Sequence, residues 1–87
     1  MTYFTYVIKS ETTDKIYIGH TDNLDNRLKR HNNLLPHKRS SFTYKNKGPW
    51  ILIYKEEFKS RQEAQKREKY LKTSRGREFI KKFKVGR

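Results

Sequence analysis

The sequence predicts a small α/β domain, a three-stranded and mainly antiparallel sheet flanked by helices in the order β-β-α-β-α-α. Three observations predict it. Residues 3–9 and 50–58 are rich in aromatic and β-branched side chains that suit a pleated surface. Between them, Lys15–His31 packs a short strand, a tight turn and an amphipathic helix into KIYIGHTDNLDNRLKRH. Finally, Ser60-Arg61-Gln62-Glu63 matches the S-x-x-E capping box that starts a helix.

The elements follow in chain order. In the first strand Phe4, Tyr6 and Ile8 share one face, and Tyr3, Thr5 and Val7 the other. Both faces are apolar or aromatic, which predicts a central strand. Residues 10–14, SETTD, are turn formers that lead into a hairpin. The second strand is Ile16-Tyr17-Ile18, with Gly19 as its end. Thr21 or Asp22 is the expected N-cap of the next helix, because a short side-chain oxygen can accept from its first-turn N–H groups. That helix carries Leu24 and Leu28 on its buried stripe and is expected to run to Leu34 or Leu35, before Pro36. Residues 36–49 show no period and are expected to form a long loop. In the third strand, 50–58, Ile51 and Ile53 alternate with Leu52 and Tyr54. A helix then spans 61–72. Ser74 is expected to cap a last helix with Phe79, Ile80 and Phe83 as its stripe, and the tail from Lys84 should fray.

Eighty-seven residues make one domain, 1–87, with a thin core. With no cysteine, neither a disulfide framework nor a thiolate metal site can form, and a reducing, cytoplasmic setting fits. No apolar run approaches the ~20 residues of a membrane span. The N-terminal MTYFTYVIKS reads straight into the first strand and is not expected to be a signal peptide. Lysine and arginine number 22 against 9 acidic residues, a net charge of +13. Such an excess repels itself unless a polyanion is the partner. Aromatics interleave with the basic residues and can stack on bases, so nucleic acid is the expected partner: DNA, with RNA as an alternative. Lys29 and Arg30 on the first helix, and Lys38, Arg39, Lys45 and Lys47 in the loop, are the expected contacts.

Several side chains could carry chemistry. Arg27 and His31 lie four apart on one helix and can aim at one point. Tyr6, Tyr17 and His20 lie on strands that the fold brings near them. Glu68 falls on the stripe Ala64–Glu68–Leu71, where a carboxylate is costly unless it is paired or binds a metal. Its plain alternative is an ion pair with Lys72 at i+4. His31 and His37 lack the further ligands of a zinc site. No glycine-rich phosphate loop or nucleophile elbow is present, which argues against nucleoside triphosphate hydrolysis and acyl transfer.

With these residues in place, the chain resembles the GIY-YIG nuclease superfamily. It is most similar to the short standalone branch, related to the N-terminal nuclease domain of the excision-repair incision subunit. Tyr17-Ile18-Gly19 matches the second signature triplet. Phe4-Thr5-Tyr6 stands at the first, keeping its tyrosine and departing from Gly-Ile. Asn23-Leu24, Arg27-Leu28 and His31-Asn32 follow the signature helix, and RQEAQKREKYLK resembles the later helix that brings a metal-binding glutamate, here Glu68. The resemblance implies an endonuclease that hydrolyses DNA phosphodiester bonds with Mg²⁺ or Mn²⁺ and leaves a 5′-phosphate and a 3′-hydroxyl. Glu68 would hold the metal and Arg27 would neutralise phosphate charge. Tyr6 and Tyr17 would line the site, with a tyrosine, His20 or His31 as general base. Without a separate DNA-reading module, cutting would be structure-selective or weakly sequence-specific, in DNA repair or processing. Cutting both strands would require a homodimer or two encounters. The competing expectation is a non-catalytic nucleic-acid-binding module built on the same basic face.

Overall fold

The computed structural model describes residues 2–32 and 49–84. Along the chain run β1 (Tyr3–Ser10), β2 (Ile16–Thr21), α1 (Leu24–His31), β3 (Trp50–Phe58), α2 (Arg61–Leu71) and α3 (Ser74–Lys84). This is the order expected from the sequence. The strands form one sheet in the order β2-β1-β3, so β1 is central as its two apolar faces require. Both pairings are antiparallel. Among the described residues no helix is long and apolar enough to cross a membrane.

Strand alternation divides the core in two. Val7 and Ile18 face α2 and α3 and pack with Leu71 and Ile80. Tyr6 and Ile8 face the other way and pack with Trp50, Tyr17, Leu24 and Leu28 under α1. A bulge in the β1–β3 pairing takes Val7 to Tyr54 but Ile8 to Leu52. The strict alternation expected along β3 is therefore broken, and adjacent Ile53 and Tyr54 both join the α2–α3 face. Thr5, fully buried, donates from Oγ1 to the Ala64 carbonyl at 2.7 Å and ties β1 to α2.

Element ends depart from the sequence reading for local reasons. Gly19 does not end β2; it pairs with Tyr6, and the strand continues to Thr21. The longer strand moves the helix start onward. Asn23, not Thr21 or Asp22, is the N-cap and accepts from Asn26 N–H at 3.1 Å, while Thr21 Oγ1 accepts from Asn23 N–H in the turn before it. At the other end α1 stops at His31, short of Leu34. There the Asn32 amide leaves the helix to bond the Trp50 backbone twice, donating to its carbonyl at 3.0 Å and accepting from its N–H at 2.6 Å. These two bonds fasten α1 to the start of β3.

The capping box forms on one side: Ser60 Oγ accepts from Glu63 N–H at 3.2 Å, but the Glu63 carboxylate meets the Ser60 hydroxyl instead of its backbone. For α3 the capping side chain is Thr73, which accepts from Gly76 N–H at 3.2 Å, and Ser74 is already helical. The expected loop 36–49, apart from Pro49, and residues 85–87 of the tail lie outside the described residues.

Gly76 is where α3 crosses the end of α2. A Cβ there would stand 2.2 Å from the Tyr70 carbonyl oxygen and 2.4 Å from Leu71 Cα, both of them backbone. In an exposed helix Gly→Ala would stabilise by about 1 kcal/mol. Here the two helices must part instead, so Gly76→Ala is expected to destabilise by about 2–3 kcal/mol in urea unfolding.

Candidate active site

Edge position lets β2 serve one pocket with both of its faces. Tyr17 and His20 are three apart in a strand, so they point to opposite sides of the sheet. In a central strand they would enter separate cores. At the edge, a cleft of about 460 Å³ wraps over the strand and takes both. From one side Asn23, Asn26, Arg27 and Arg30 of the α1 segment line it; from the other come Arg61 and Glu68 of α2. The four α1 positions follow i, i+3, i+4, i+7, one helix face. Leu24, Leu28 and His31 take the face turned to the sheet.

Behind the cleft wall lies a buried polar centre on the Tyr6 phenol. Tyr6 reaches across the hairpin over Gly19, where a Cβ would stand only 2.8 Å from its hydroxyl. The Tyr6 hydroxyl meets His31 Nε2 at 2.8 Å and accepts from Arg27 Nε–H at 3.3 Å. Arg27 and His31 thus converge on one point, as their spacing allows. The Tyr17 ring packs beside them, 4.9 Å from the His31 ring. Burial pushes the Tyr6 phenol well above its ordinary range, despite the lowering effect of Arg27. Tyr6 is therefore a neutral hydroxyl at physiological pH. Burial would lower the Arg27 pKa, but its hydrogen bonds with Tyr6 and Tyr17 raise it. Arg27 is thus a fixed cation at the cleft wall.

Glu68 enters from the opposite helix. Its Oε1 meets His20 Nδ1 at 2.5 Å, and its Oε2 accepts from Lys72 Nζ at 2.7 Å. Burial raises the Glu68 pKa, but the Lys72 and His20 bonds outweigh it and hold the carboxyl below its usual range. The i+4 pairing with Lys72, the plain alternative of the sequence reading, is formed, and Glu68 also lines the cleft.

The structure thus brings Tyr17, His20, Arg27 and Glu68 to the cleft, while Tyr6 and His31 stand buried behind it. Arg30 lines the cleft and Lys29 is exposed outside it. Lys38, Arg39, Lys45 and Lys47, with His37, lie outside the described residues. Sequence reasoning did not single out Asp22, Asn23, Asn26 or Arg61 as site residues. The α1 face spacing could have found Asn23 and Asn26; nothing local marks Arg61.

Among the described residues no three His, Cys, Asp or Glu side chains gather into a cage. A closed structural metal site is not what these residues make. Glu68 and Asp22 are the carboxylates that line the cleft. Carboxylate oxygens are the donors a hard cation takes, and at Glu68 the ion would have to displace Lys72 or His20.

The lowered Glu68 pKa carries a pH dependence. The folded value lies below the unfolded one, so its stabilisation is present above the unfolded value and is lost as pH falls through the folded one. Glu68→Gln is expected to lower stability by about 1 kcal/mol at pH 7. In thermal unfolding across pH 7 to 3, the gap to wild type should close in the acid limb.

Comparison with known proteins gives the family and the fold. Residues 2–83 match the family model described as the GIY-YIG catalytic domain. The chain is 38% identical over 69 residues to a UPF0213 protein of Clostridium perfringens, covering 79% of this chain and 69% of the relative. It is 34% identical over 71 residues to a UPF0213 protein of Staphylococcus haemolyticus, covering 82% and 80%. The solution NMR structure of a UPF0213 protein from Bacillus halodurans superposes with a TM-score of 0.54 at 26% identity, covering 99% of this chain and 88% of that one. With its edge-strand tyrosine, helix arginine and facing glutamate on the matched segment, the chain belongs to the GIY-YIG nuclease family, alongside the UPF0213 proteins.

Proposed function

We propose that the protein is a divalent-metal-dependent endonuclease that hydrolyses DNA phosphodiester bonds, with structure-selective or weakly sequence-specific cutting. The observation that carries this reading is the facing of Arg27 and Glu68 across one cleft, in a chain of net charge +13. A fixed guanidinium is a ready partner for a phosphate, and the excess charge draws the polyanion in.

Each side chain has a task in this reading. Arg27, held by Tyr6, bears on the charge that builds on the phosphate oxygens, and it needs no rearrangement to do so. Tyr17 lines the cleft and orients the attacking water through its hydroxyl. His20 donates Nδ1–H to Glu68, the tautomer that leaves Nε2 with a lone pair to take the water's proton. The water oxygen bonds to phosphorus as the bond to O3′ breaks. The departing O3′ takes a proton from solvent and His20 later returns its proton to solvent, giving a 5′-phosphate and a 3′-hydroxyl. Tyr6, neutral and buried, is a positioning residue for Arg27 and His31. Glu68 Oε2 would hold Mg²⁺ or Mn²⁺ once Lys72 swings away, and the ion would supply charge stabilisation at the leaving oxygen.

The test is cleavage of plain and branched DNA duplexes with and without Mg²⁺ or Mn²⁺. Wild type is expected to cut, EDTA to stop it, and Glu68→Ala and Arg27→Ala each to slow cutting by about 10²-fold or more. Glu68→Ala should still bind DNA. Retained binding with no cutting by wild type would favour the competing reading, a nucleic-acid-binding module. Equal cutting by wild type and Glu68→Ala would overturn the assignment of the glutamate.

A further inference from the structure

Arg61 lines the cleft, yet the chemistry above gives it no task. It stands at the first position of α2, two turns before Glu68 on the same face, about 10 Å along the helix axis. Its guanidinium carbon lies 5.0 Å from the centroid of the Tyr3 ring, within cation–π range. Its acidic neighbour is Asp22, with Nη2 and Oδ2 3.7 Å apart and both side chains about half exposed (50% and 45%). At that distance the pair is a loose attraction beyond hydrogen-bond length, and water screens it. The guanidinium is thus held beside an aromatic face and only weakly committed to its carboxylate. A phosphate that offers two oxygens to the fork is a stronger partner than Asp22 at 3.7 Å.

Resting on the nuclease reading, we propose that Arg61 binds a backbone phosphate of the substrate strand, beside the scissile phosphate that Arg27 faces. Two turns of α2 between Arg61 and Glu68 suit neighbouring phosphates rather than a shared one. Contacts on either side of the scissile bond hold the strand in line across the β2 edge. Arg61 exchanges Asp22 for the phosphate when the strand enters. The contact is to the backbone, so it adds affinity uniformly across sequences.

The experiment is fluorescence anisotropy of a labelled short DNA duplex in EDTA, at several salt concentrations, with thermal unfolding of each protein alongside. Arg61→Gln is expected to weaken binding about fivefold at 0.1 M salt and to reduce the salt slope by about one phosphate contact, with an unchanged Tm. Arg61→Lys should keep the slope and lose part of the affinity, because it keeps the charge without the fork. Unchanged affinity and slope in Arg61→Gln would overturn the proposal. So would a lowered Tm with unchanged binding by Arg61→Lys, which would make Arg61 a partner of Tyr3 alone. Wild type that binds but never cuts would sink the nuclease reading and leave the Arg61 contact standing. Wild type that cuts beside Arg61→Gln of full affinity would do the reverse.

Discussion

The site depends on one crossing, the passage of the Tyr6 side chain over Gly19. Cross-strand partners in an antiparallel hairpin stand close enough that their side chains normally share the space above the sheet. Here one partner has no side chain, so the phenol extends over the neighbouring strand, with its hydroxyl only 2.8 Å from where a Cβ would be. From that place it reaches Arg27 and His31, both on α1. A glycine within a strand usually weakens it. In this chain it creates the room in which helix and sheet are joined through a polar centre.

The second constraint is the edge. A strand that carries a tyrosine on one face and a histidine on the other can bring them to one cleft only where no further strand lies alongside. The helices then supply the two walls. On one side α1 supplies Arg27 and Arg30, and on the other α2 supplies Glu68 and Arg61. Glu68 is held ionised by the Lys72 ammonium and by its hydrogen bond with His20, in spite of its partial burial. Each such partner adds attraction that offsets the cost of taking a carboxylate out of water. The same arrangement keeps the carboxylate pointed at the cleft.

Structural residues stand beside the chemical ones and account for much of the local sequence. Asn32 looks like part of a helix–histidine pattern, but its amide fastens the end of α1 to β3 through two backbone bonds. Gly76 lets α3 approach the end of α2 at backbone contact. Thr5 bridges β1 and α2. Each of these fastens α1 or α2, the two helices that line the cleft, to a neighbouring element, so the placing of Arg27 and Glu68 is inherited from packing remote from either side chain.

The sequence by itself determined the element order, the central place of β1 and the two-sided core, because alternation and helical period register which face each side chain takes. Spacing and element order mark Tyr17, His20, Arg27 and His31 as polar groups that a small fold can bring together, whereas Tyr6 and Glu68 are marked as site residues by the resemblance to the GIY-YIG signature. Spacing along α1 already implied that Arg27 and His31 share a target. Tertiary structure decided the rest. The target proved to be the Tyr6 phenol, and Tyr6 and His31 proved to lie behind the cleft, because burial depends on what packs above a residue and not on its own neighbours in sequence. The pairing of His20 with Glu68 spans 48 residues, and no local pattern records such a distance. Arg61 reads as an ordinary helix former in its own segment; only the folding of α2 against the β2 edge turns it toward the same cleft as Arg27.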